Sequence, residues 1–510
     1  MSASETSFEL FLPDENATQR FGEDFALALQ KGDLVTLSGD LGAGKSSLAR
    51  SIIRAIADDE ALEVPSPTFT LVQTYEQLRL AVAHADLYRI SHGEELDELG
   101  LTEFLEEGVV LVEWPEQAEG LLPEPAFAVI LTHEGAGRHI RIEGSQQSIA
   151  RLERSIAIRK FLDANDREGA VRRYLEGDAS PRKYETIATA QGVEILMNAP
   201  ALPYDPPLKN GKSYRQIAHI AENIRAFIAI GTLLESRGFR VPKMRAWDMD
   251  MGFLVLEDFG TEGVRAASGE PIAERYEAAA RFLAHLHGQS WPDWVPVEGF
   301  DDHLIAAFDR DAMLMEVDLV GEWYAPRMMG RALNDAEQEA YHAAWNKVFD
   351  AIADAETSLL LRDYHSPNLF WFPESDGKDK IGTIDFQDAM IGPAAYDVAS
   401  LALDARVRIA PELEAITLAA YCSERRKLGH EFDEQDFLRA YAVMGAQRNT
   451  KLLGLFIRLD ERDGKPKYLK LLPHIHEYLG RVLKHPVMAP LAEWFAQLGL
   501  MQDQAERDKQ

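Results

Sequence analysis

The run Gly39-Asp40-Leu41-Gly42-Ala43-Gly44-Lys45-Ser46 constrains this chain more than any other stretch. It fits G-x-x-x-x-G-K-[ST], and its setting is the one that pattern requires. The apolar run Leu34-Val35-Thr36-Leu37 before it reads as a buried strand, and Ser46 to about Ala57 after it reads as an amphipathic helix. Glycines let backbone N–H groups curl around phosphate oxygens, and the helix N-terminus adds partial positive charge. Lys45 can then reach the terminal phosphates of ATP and Ser46 can ligate Mg²⁺. Gly39, Gly42, Ala43, Gly44 and Ser47 complete the candidate nucleotide loop. Further strands are expected at Phe69–Thr74, Leu80–Asp86, Val109–Val112 and Ala128–Thr132, so the first part reads as an α/β layered domain.

A loop of this kind needs a second acid for its metal. The run Val109–Val112 ends in Glu113, as a buried strand presenting a carboxylate at its edge should. His84-Ala85-Asp86-Leu87-Tyr88-Arg89 gathers ionisable groups at another strand end, where Asp86 could orient a water against the γ-phosphate.

Taken together, the Gly39–Ser46 loop, Ser66-Pro67-Thr68-Phe69, His84–Arg89 and Glu113-Trp114-Pro115 closely resemble the TsaE ATPases over roughly residues 5–145. The resemblance implies Lys45 on phosphate, Ser46 and Glu113 on Mg²⁺, and Asp86 in hydrolysis. It also implies Thr68 near a switch-like segment and Trp114 beside the nucleotide; His84, Tyr88 and Arg89 belong to the same motif set. Partners would be the other proteins of the tRNA threonylcarbamoyladenosine synthase machinery. Ser46 stands where Thr is commoner; both carry the hydroxyl that magnesium needs.

Beyond Gly144–Ser148 the pattern changes. Ile149 to Ala164 reads as one charged amphipathic helix, Gly177 to about Pro200 as strand-rich, Leu202–Lys212 as a loop, Glu222–Arg237 as a helix and Phe253–Glu257 as a strand. From Ile272 the chain reads as mostly helical, apart from islands at Ser358–Phe372 and Lys380–Ile391. The expected division is a P-loop domain over 1–147, a linker helix over 148–170, and a kinase-like domain over 171–500. Within the last, a small β-rich lobe ends near 258 and a large helical lobe follows; the final ten residues are polar and expected to fray.

In Leu361-Arg362-Asp363-Tyr364-His365-Ser366-Pro367-Asn368 an Asp and an Asn are separated by four residues, and Ile384-Asp385-Phe386 follows. This is the order of a kinase centre, with Asp363 as base and Asn368 and Asp385 as magnesium ligands. His365 could contact substrate or serve as a structural hydrogen-bonding residue. No Gly-rich kinase loop is present; Gly177, Ser180, Arg182 and Lys183 are the groups available near phosphates. Phe253-Leu254-Val255-Leu256-Glu257-Asp258 resembles an adenine-binding hinge, with Glu257 as its candidate contact.

These residues resemble the aminoglycoside-phosphotransferase-like kinases, and within them the anomeric N-acetylmuramate and N-acetylglucosamine kinases, over roughly 155–490. The fold class expected is therefore an α/β P-loop NTPase domain followed by a two-lobed α+β protein-kinase-like domain. The resemblance implies ATP-dependent phosphorylation of an amino sugar; an aminoglycoside or choline-like acceptor, or a degenerate kinase fold used for docking, are the alternatives. Leu361 stands where a His is usual, Asn198 where the sugar kinases often have Asp, and the third-strand lysine is missing. The acid-rich segment Phe300–Tyr324 with Trp323 reads either as an acceptor wall or as a solvated amphipathic helix.

Composition bounds the partners. Lys+Arg 53 against Asp+Glu 84 gives a net charge of -31, which disfavours direct high-affinity docking on nucleic acid. The single cysteine, Cys422, excludes an internal disulfide and a thiolate zinc cage. With neither a secretory start nor a bilayer-length apolar run, a soluble cytoplasmic protein is expected.

Overall fold

The computed structural model describes residues 6–90, 93–118, 120–177, 182–429 and 431–501. The chain divides into two compact units: residues 1–199 with Arg245–Asp248 and Phe253–Leu256, and the remainder.

Unit 1 opens with β1 (Thr6–Leu12), α1 (Glu15–Ala28), β2 (Leu34–Ser38), α2 (Lys45–Ala57), β3 (Val72–Tyr75), β4 (Ala81–Asp86) and the short α3 (Leu101–Phe104). Then come β5 (Gly108–Glu113), β6 (Phe127–Glu134), β7 (Gly137–Gly144) and α4 (Gln146–Asp163). The seven strands form one sheet in the order β1-β7-β6-β2-β5-β4-β3. Its centre is parallel: β2 lies between β5 and β6, and β4 runs alongside β5. Val35, Leu37, Val109 and Leu111 face α1 and α2, while Val110 and Val112 fill the other side, so these strands read as unbroken apolar runs.

A second sheet follows, built from β8 (Val171–Leu175), β9 (Lys183–Thr189) and β10 (Gly192–Asn198) with two strands from further along the chain. Unit 2 begins with a ribbon of β11 (Pro207–Lys209) and β12 (Lys212–Ser213), α5 (Tyr214–Ile217) and α6 (Arg225–Ser236). β13 (Met244–Asp248) and β14 (Phe253–Glu257) complete the five-stranded order β13-β14-β10-β9-β8. Next are α7 (Ala273–His287), a ribbon of β15 (Trp294–Val295) and β16 (His303–Leu304), α8 (Arg310–Val317), a π-helical turn at Val320–Tyr324, α9 (Ala325–Met329) and α10 (Asp335–Asp350). β17 (Thr357–Leu360), β18 (Leu369–Trp371), β19 (Ile381–Thr383) and β20 (Met390–Pro393) form two small ribbons, β17 with β20 and β18 with β19. α11 (Ala395–Ala402), α12 (Pro411–Lys427), α13 (Glu434–Glu461), α14 (Leu472–Val482) and α15 (Ala489–Gln497) close the chain.

Several expectations need correction. The strand expected from Phe69 starts only at Val72, because Leu71 donates its N–H to Pro67 O at 2.7 Å and holds φ 63, which makes a turn of the preceding residues. β1 and β7 are absent from the sequence reading; they pair with each other at the sheet's edge, and β1 shows plain alternation of burial. The expected 202–212 loop holds a ribbon whose turn is Asn210-Gly211, both at positive φ, the chemistry of a tight hairpin. β15 and β16 interrupt the helical region. The segment 300–324 is not a solvated face: α8 buries Glu316 completely. Asp178–Pro181, part of the proposed small-lobe motif, and the terminal residues 502–510 lie outside the described residues.

Candidate functional site

In unit 1 the phosphate loop bridges β2 and α2. Gly39 holds φ 138, and a Cβ there would stand 2.2 Å from Leu131 O; Gly44 holds φ 105, with Arg138 Nε 2.6 Å from the same imagined atom. A side chain at Gly39 would collide with backbone and one at Gly44 would be strained by its left-handed φ, so the loop's path depends on both glycines. Lys45 is 4 % exposed, donates to Gly39 O at 2.6 Å and Asp40 O at 3.0 Å, and lies 3.6 Å above the Trp114 ring. Burial lowers its pKa, and Glu113, Glu116 and Asp86 oppose the drop. The ammonium is thus satisfied by its own loop and an aromatic face.

Register brings the acids to it. Leu37 lies opposite Glu113, and Asp86 opposite Glu113, so the ends of β2, β5 and β4 converge. Ser46 Oγ donates to Glu113 Oε2 at 2.8 Å, and His84 Nε2 is 2.9 Å from Glu113 Oε1. Asp86 accepts Ser66 Oγ at 3.0 Å and the Tyr88 amide at 3.1 Å, and Thr68 Oγ1 donates to Ser66 Oγ at 3.2 Å. The Tyr88 ring packs 5.0 Å from Trp114. Lys45, Ser46, Glu113, Asp86, His84, Thr68, Tyr88 and Trp114 are therefore one cluster. Arg89 is directed elsewhere, stacking on the exposed Phe69 ring at 4.3 Å. Ser47 takes part only through its carbonyl, which accepts Ser51 Oγ.

In unit 2 the loop after β17 carries the second cluster. Asn368 Nδ2 donates to Asp363 O at 2.9 Å and approaches Asp385 Oδ2 at 3.4 Å; Gln387 Nε2 donates to Asp385 Oδ1 at 2.8 Å. Two residues hold positive φ, Arg362 at 67 and Asp385 at 61. Non-glycine residues there cost energy and persist only where the surroundings over-determine them. The surroundings do so here. Asp397, fully buried, accepts the Leu361 and Arg362 amides at 2.5 and 2.9 Å; Asp404 accepts the Ser366 amide at 2.8 Å and the Tyr276 hydroxyl at 3.1 Å.

Asp363 is surrounded by cations. Arg448, on α13, donates to Arg362 O at 2.8 Å and Tyr396 OH at 3.3 Å, and reaches Asp363 Oδ1 at 3.5 Å. Burial pushes the Asp363 carboxyl up, but Arg448, Lys451 and Arg362 outweigh it and hold it well below the usual carboxylate range. His365 is pushed down to about 3 by burial and by Arg406, whose Nη1 lies 3.1 Å from its Nε2, so the ring is neutral. Its Nε2 also lies 3.9 Å from Asp363 Oδ1.

Behind this loop Glu316 accepts Lys451 Nζ at 2.6 Å and Gln447 Nε2 at 2.9 Å and pairs with Arg362. Burial raises its pKa, yet Lys451 and Arg362 pull it to about 2. Neutralising a buried partner of two cations typically costs 3–5 kcal/mol. Glu316→Gln is therefore expected to destabilise unit 2 by about 3–5 kcal/mol, read as a lower urea midpoint. The sign with pH follows: a folded pKa near 2 against 4.5 unfolded gives stability present above pH 4.5 and lost as pH falls toward 2. The Gln variant should lack that acid-side slope.

Sequence reasoning assigned no task to Glu316, Asp397, Asp404, Arg448 or Lys451. One signal was available: Gln447-Arg448-Asn449-Thr450 is a polar run in the 28-residue helix α13, and all four are buried. Lys183 is exposed at the start of β9, opposite Asn198, which accepts Arg154 Nη2 at 2.6 Å. Glu257 is occupied with Lys243, whose amide it accepts at 3.1 Å. Arg182 is half-buried.

Comparison with known proteins gives matches over both parts of the chain. The family described as Threonylcarbamoyl adenosine biosynthesis protein TsaE matches residues 12–140, and the Phosphotransferase enzyme family matches residues 171–432. An N-acetylmuramate/N-acetylglucosamine kinase of Caulobacter vibrioides is 33% identical over 355 residues, 67% of this chain and 96% of the relative. One of Pseudomonas putida is 32% identical, covering 63% of this chain and 86% of the relative. A tRNA threonylcarbamoyladenosine biosynthesis protein TsaE of Haemophilus influenzae is 36% identical over 142 residues, 27% of this chain and 89% of the relative. Among the described residues no helix is long and apolar enough to cross a membrane. With a P-loop fold and a kinase-like fold in one polypeptide, the chain is an ATP-using enzyme that belongs to the TsaE family over its first part and to the phosphotransferase enzyme family over its second.

Proposed function

We propose that the first part hydrolyses ATP in support of threonylcarbamoyladenosine modification of tRNA, acting on partner synthase proteins, and that the second phosphorylates the anomeric hydroxyl of N-acetylmuramate or N-acetylglucosamine. The observation that carries this reading is that each part assembles its own set of phosphoryl-transfer groups: Lys45, Ser46, Glu113 and Asp86 in one, Asp363, Asn368 and Asp385 in the other. In the first, Lys45 binds phosphate and Asp86 orients the attacking water, with the motif residues His84 and Thr68 holding the acids in place. In the second, Asp363 receives the sugar hydroxyl proton. Arg182 and Lys183 are the cations available to the phosphates, and the Glu257 segment is the adenine contact.

Ser46 with Glu113, and Asn368 with Asp385, are hard oxygen donors suited to Mg²⁺, which usually takes one or two protein ligands and completes its shell with phosphate and water. When bound, the ion neutralises charge on the transferring phosphoryl group.

Incubating the full chain with labelled ATP and N-acetylmuramate, N-acetylglucosamine, kanamycin or choline tests the second activity. Label on an amino sugar is expected. Label only on kanamycin or choline, or on none of the four, overturns the assignment. For the first part, phosphate release without an acceptor, increased by the synthase proteins, is the expected result.

A further inference from the structure

We propose that Asp24, a residue of the P-loop domain, is a positioning residue for the phosphotransferase reaction: it anchors Arg172 and thereby fixes the β8–β9 ribbon of the second sheet. Arg172, on β8, is buried and forms two parallel bonds to Glu185 of β9, at 2.7 and 2.9 Å. Its remaining nitrogen donates to Asp24 Oδ1 at 2.7 Å and to Ser155 O, on α4, at 2.8 Å. Asp24 comes from α1, 148 residues away in sequence. The same carboxylate accepts Arg159 Nη2 at 3.0 Å, and Arg159 also bonds Glu23 at 2.9 Å and Ala170 O at 2.5 Å.

The junction is a packed interior. α4 places Ile149 and Leu152 in the core of the P-loop domain and Ile158, Phe161 and Leu162 in the core under the second sheet, against Ile187, Leu196, Phe253 and Val255. α1 is seated on α2, the helix that begins at Lys45, with no room to spare: a Cβ on Gly22 would be 2.4 Å from Ser51 Cβ. The cap of α2 reaches the same strand, since Asp58 pairs with Arg173. β8 is thus held by α1 and by the C-terminal cap of α2.

Glu185 already satisfies most of the Arg172 guanidinium, so the ribbon's internal pair survives without Asp24. What Asp24 adds is a fixed point outside the sheet. The ribbon's far end carries Arg182 and Lys183, the cations assigned to phosphate under the proposed function, and the inference rests on that assignment. A bidentate, buried arginine restrains both position and orientation, and small displacements of phosphate-binding groups are costly.

The test uses the full chain carrying Asp24→Asn. The KM for ATP in sugar phosphorylation is expected to rise about tenfold, with kcat and the sugar KM within about twofold. Acceptor-independent ATP hydrolysis should be unchanged, and Asp24→Glu should restore most of the loss. A second measurement needs no acceptor: in a Lys45→Ala background, which weakens the first pocket, the binding phase of a fluorescent ATP analogue that Asp363→Asn chains and wild type share should shift about tenfold weaker when Asp24→Asn is added. If the wild-type chain labels no sugar, the proposed function fails, while the analogue titration still judges Asp24. Should Asp24→Asn not fold, Arg172→Lys keeps the charge but loses the fork, and the same weakening is expected. Unchanged ATP affinity in a folded Asp24→Asn or Arg172→Lys chain, or a loss of stability with no change in ATP KM, overturns the proposal.

Discussion

Lys45→Ala should reduce phosphate release by the P-loop domain by roughly 10²–10³-fold while phosphorylation of the amino sugar continues. Lys45 donates to both carbonyls of the Gly39–Asp40 turn, and it sits beside Glu113 and Asp86, the two acids of the same cluster. Removing it takes away a preorganised charge aimed at phosphate, the kind of contact whose loss is felt in the transition state. The fold should tolerate the change: the vacated space lies against Trp114 and the loop carbonyls, which water can solvate. Steady-state phosphate release and sugar labelling, measured on one preparation, decide it. Equal losses in both would mean that the two activities share a pocket.

Asp363→Asn is expected to give the opposite pattern, a ~10²–10⁴-fold loss of sugar phosphorylation with phosphate release by the first part retained. Asn keeps the shape and cannot take the hydroxyl proton. The loop should hold its path, because Asp397, Asp404 and Arg448 also grip its backbone. A single-turnover assay with saturating sugar separates this loss from weaker binding. Full activity in the Asn variant would remove Asp363 from the role of base.

Both clusters were legible in the sequence to the extent that their members are close along the chain or sit at the ends of apolar strands. Gly39–Ser46 is a local motif with a strand before it and a helix after it, and Glu113 and Asp86 end runs whose burial on both faces is plain from composition. Asp363, Asn368 and Asp385 follow an order whose spacing carries the chemistry. The supports were not legible. Nothing adjacent to Glu316 indicates that it faces Arg362 and Lys451, and Arg448 stands in a helix with no local reason to touch Asp363. The start of β3 was misplaced for a related reason: Phe69 and Leu71 are apolar, but a turn closed by the Pro67 carbonyl leaves Phe69 83 % exposed.

The sequence alone determined that a P-loop fold and a kinase-like fold reside in one polypeptide, because phosphate loops and catalytic loops are short segments marked by residue type and spacing. Tertiary structure alone decided which charges meet: Asp24 with Arg172, Glu316 with Arg362, Arg448 with Asp363, at separations of 148, 46 and 85 residues. A buried ion pair is selected by the removal of both partners from water, and which partners are removed together depends on how helices and sheets stack, a property that no local pattern of residues encodes.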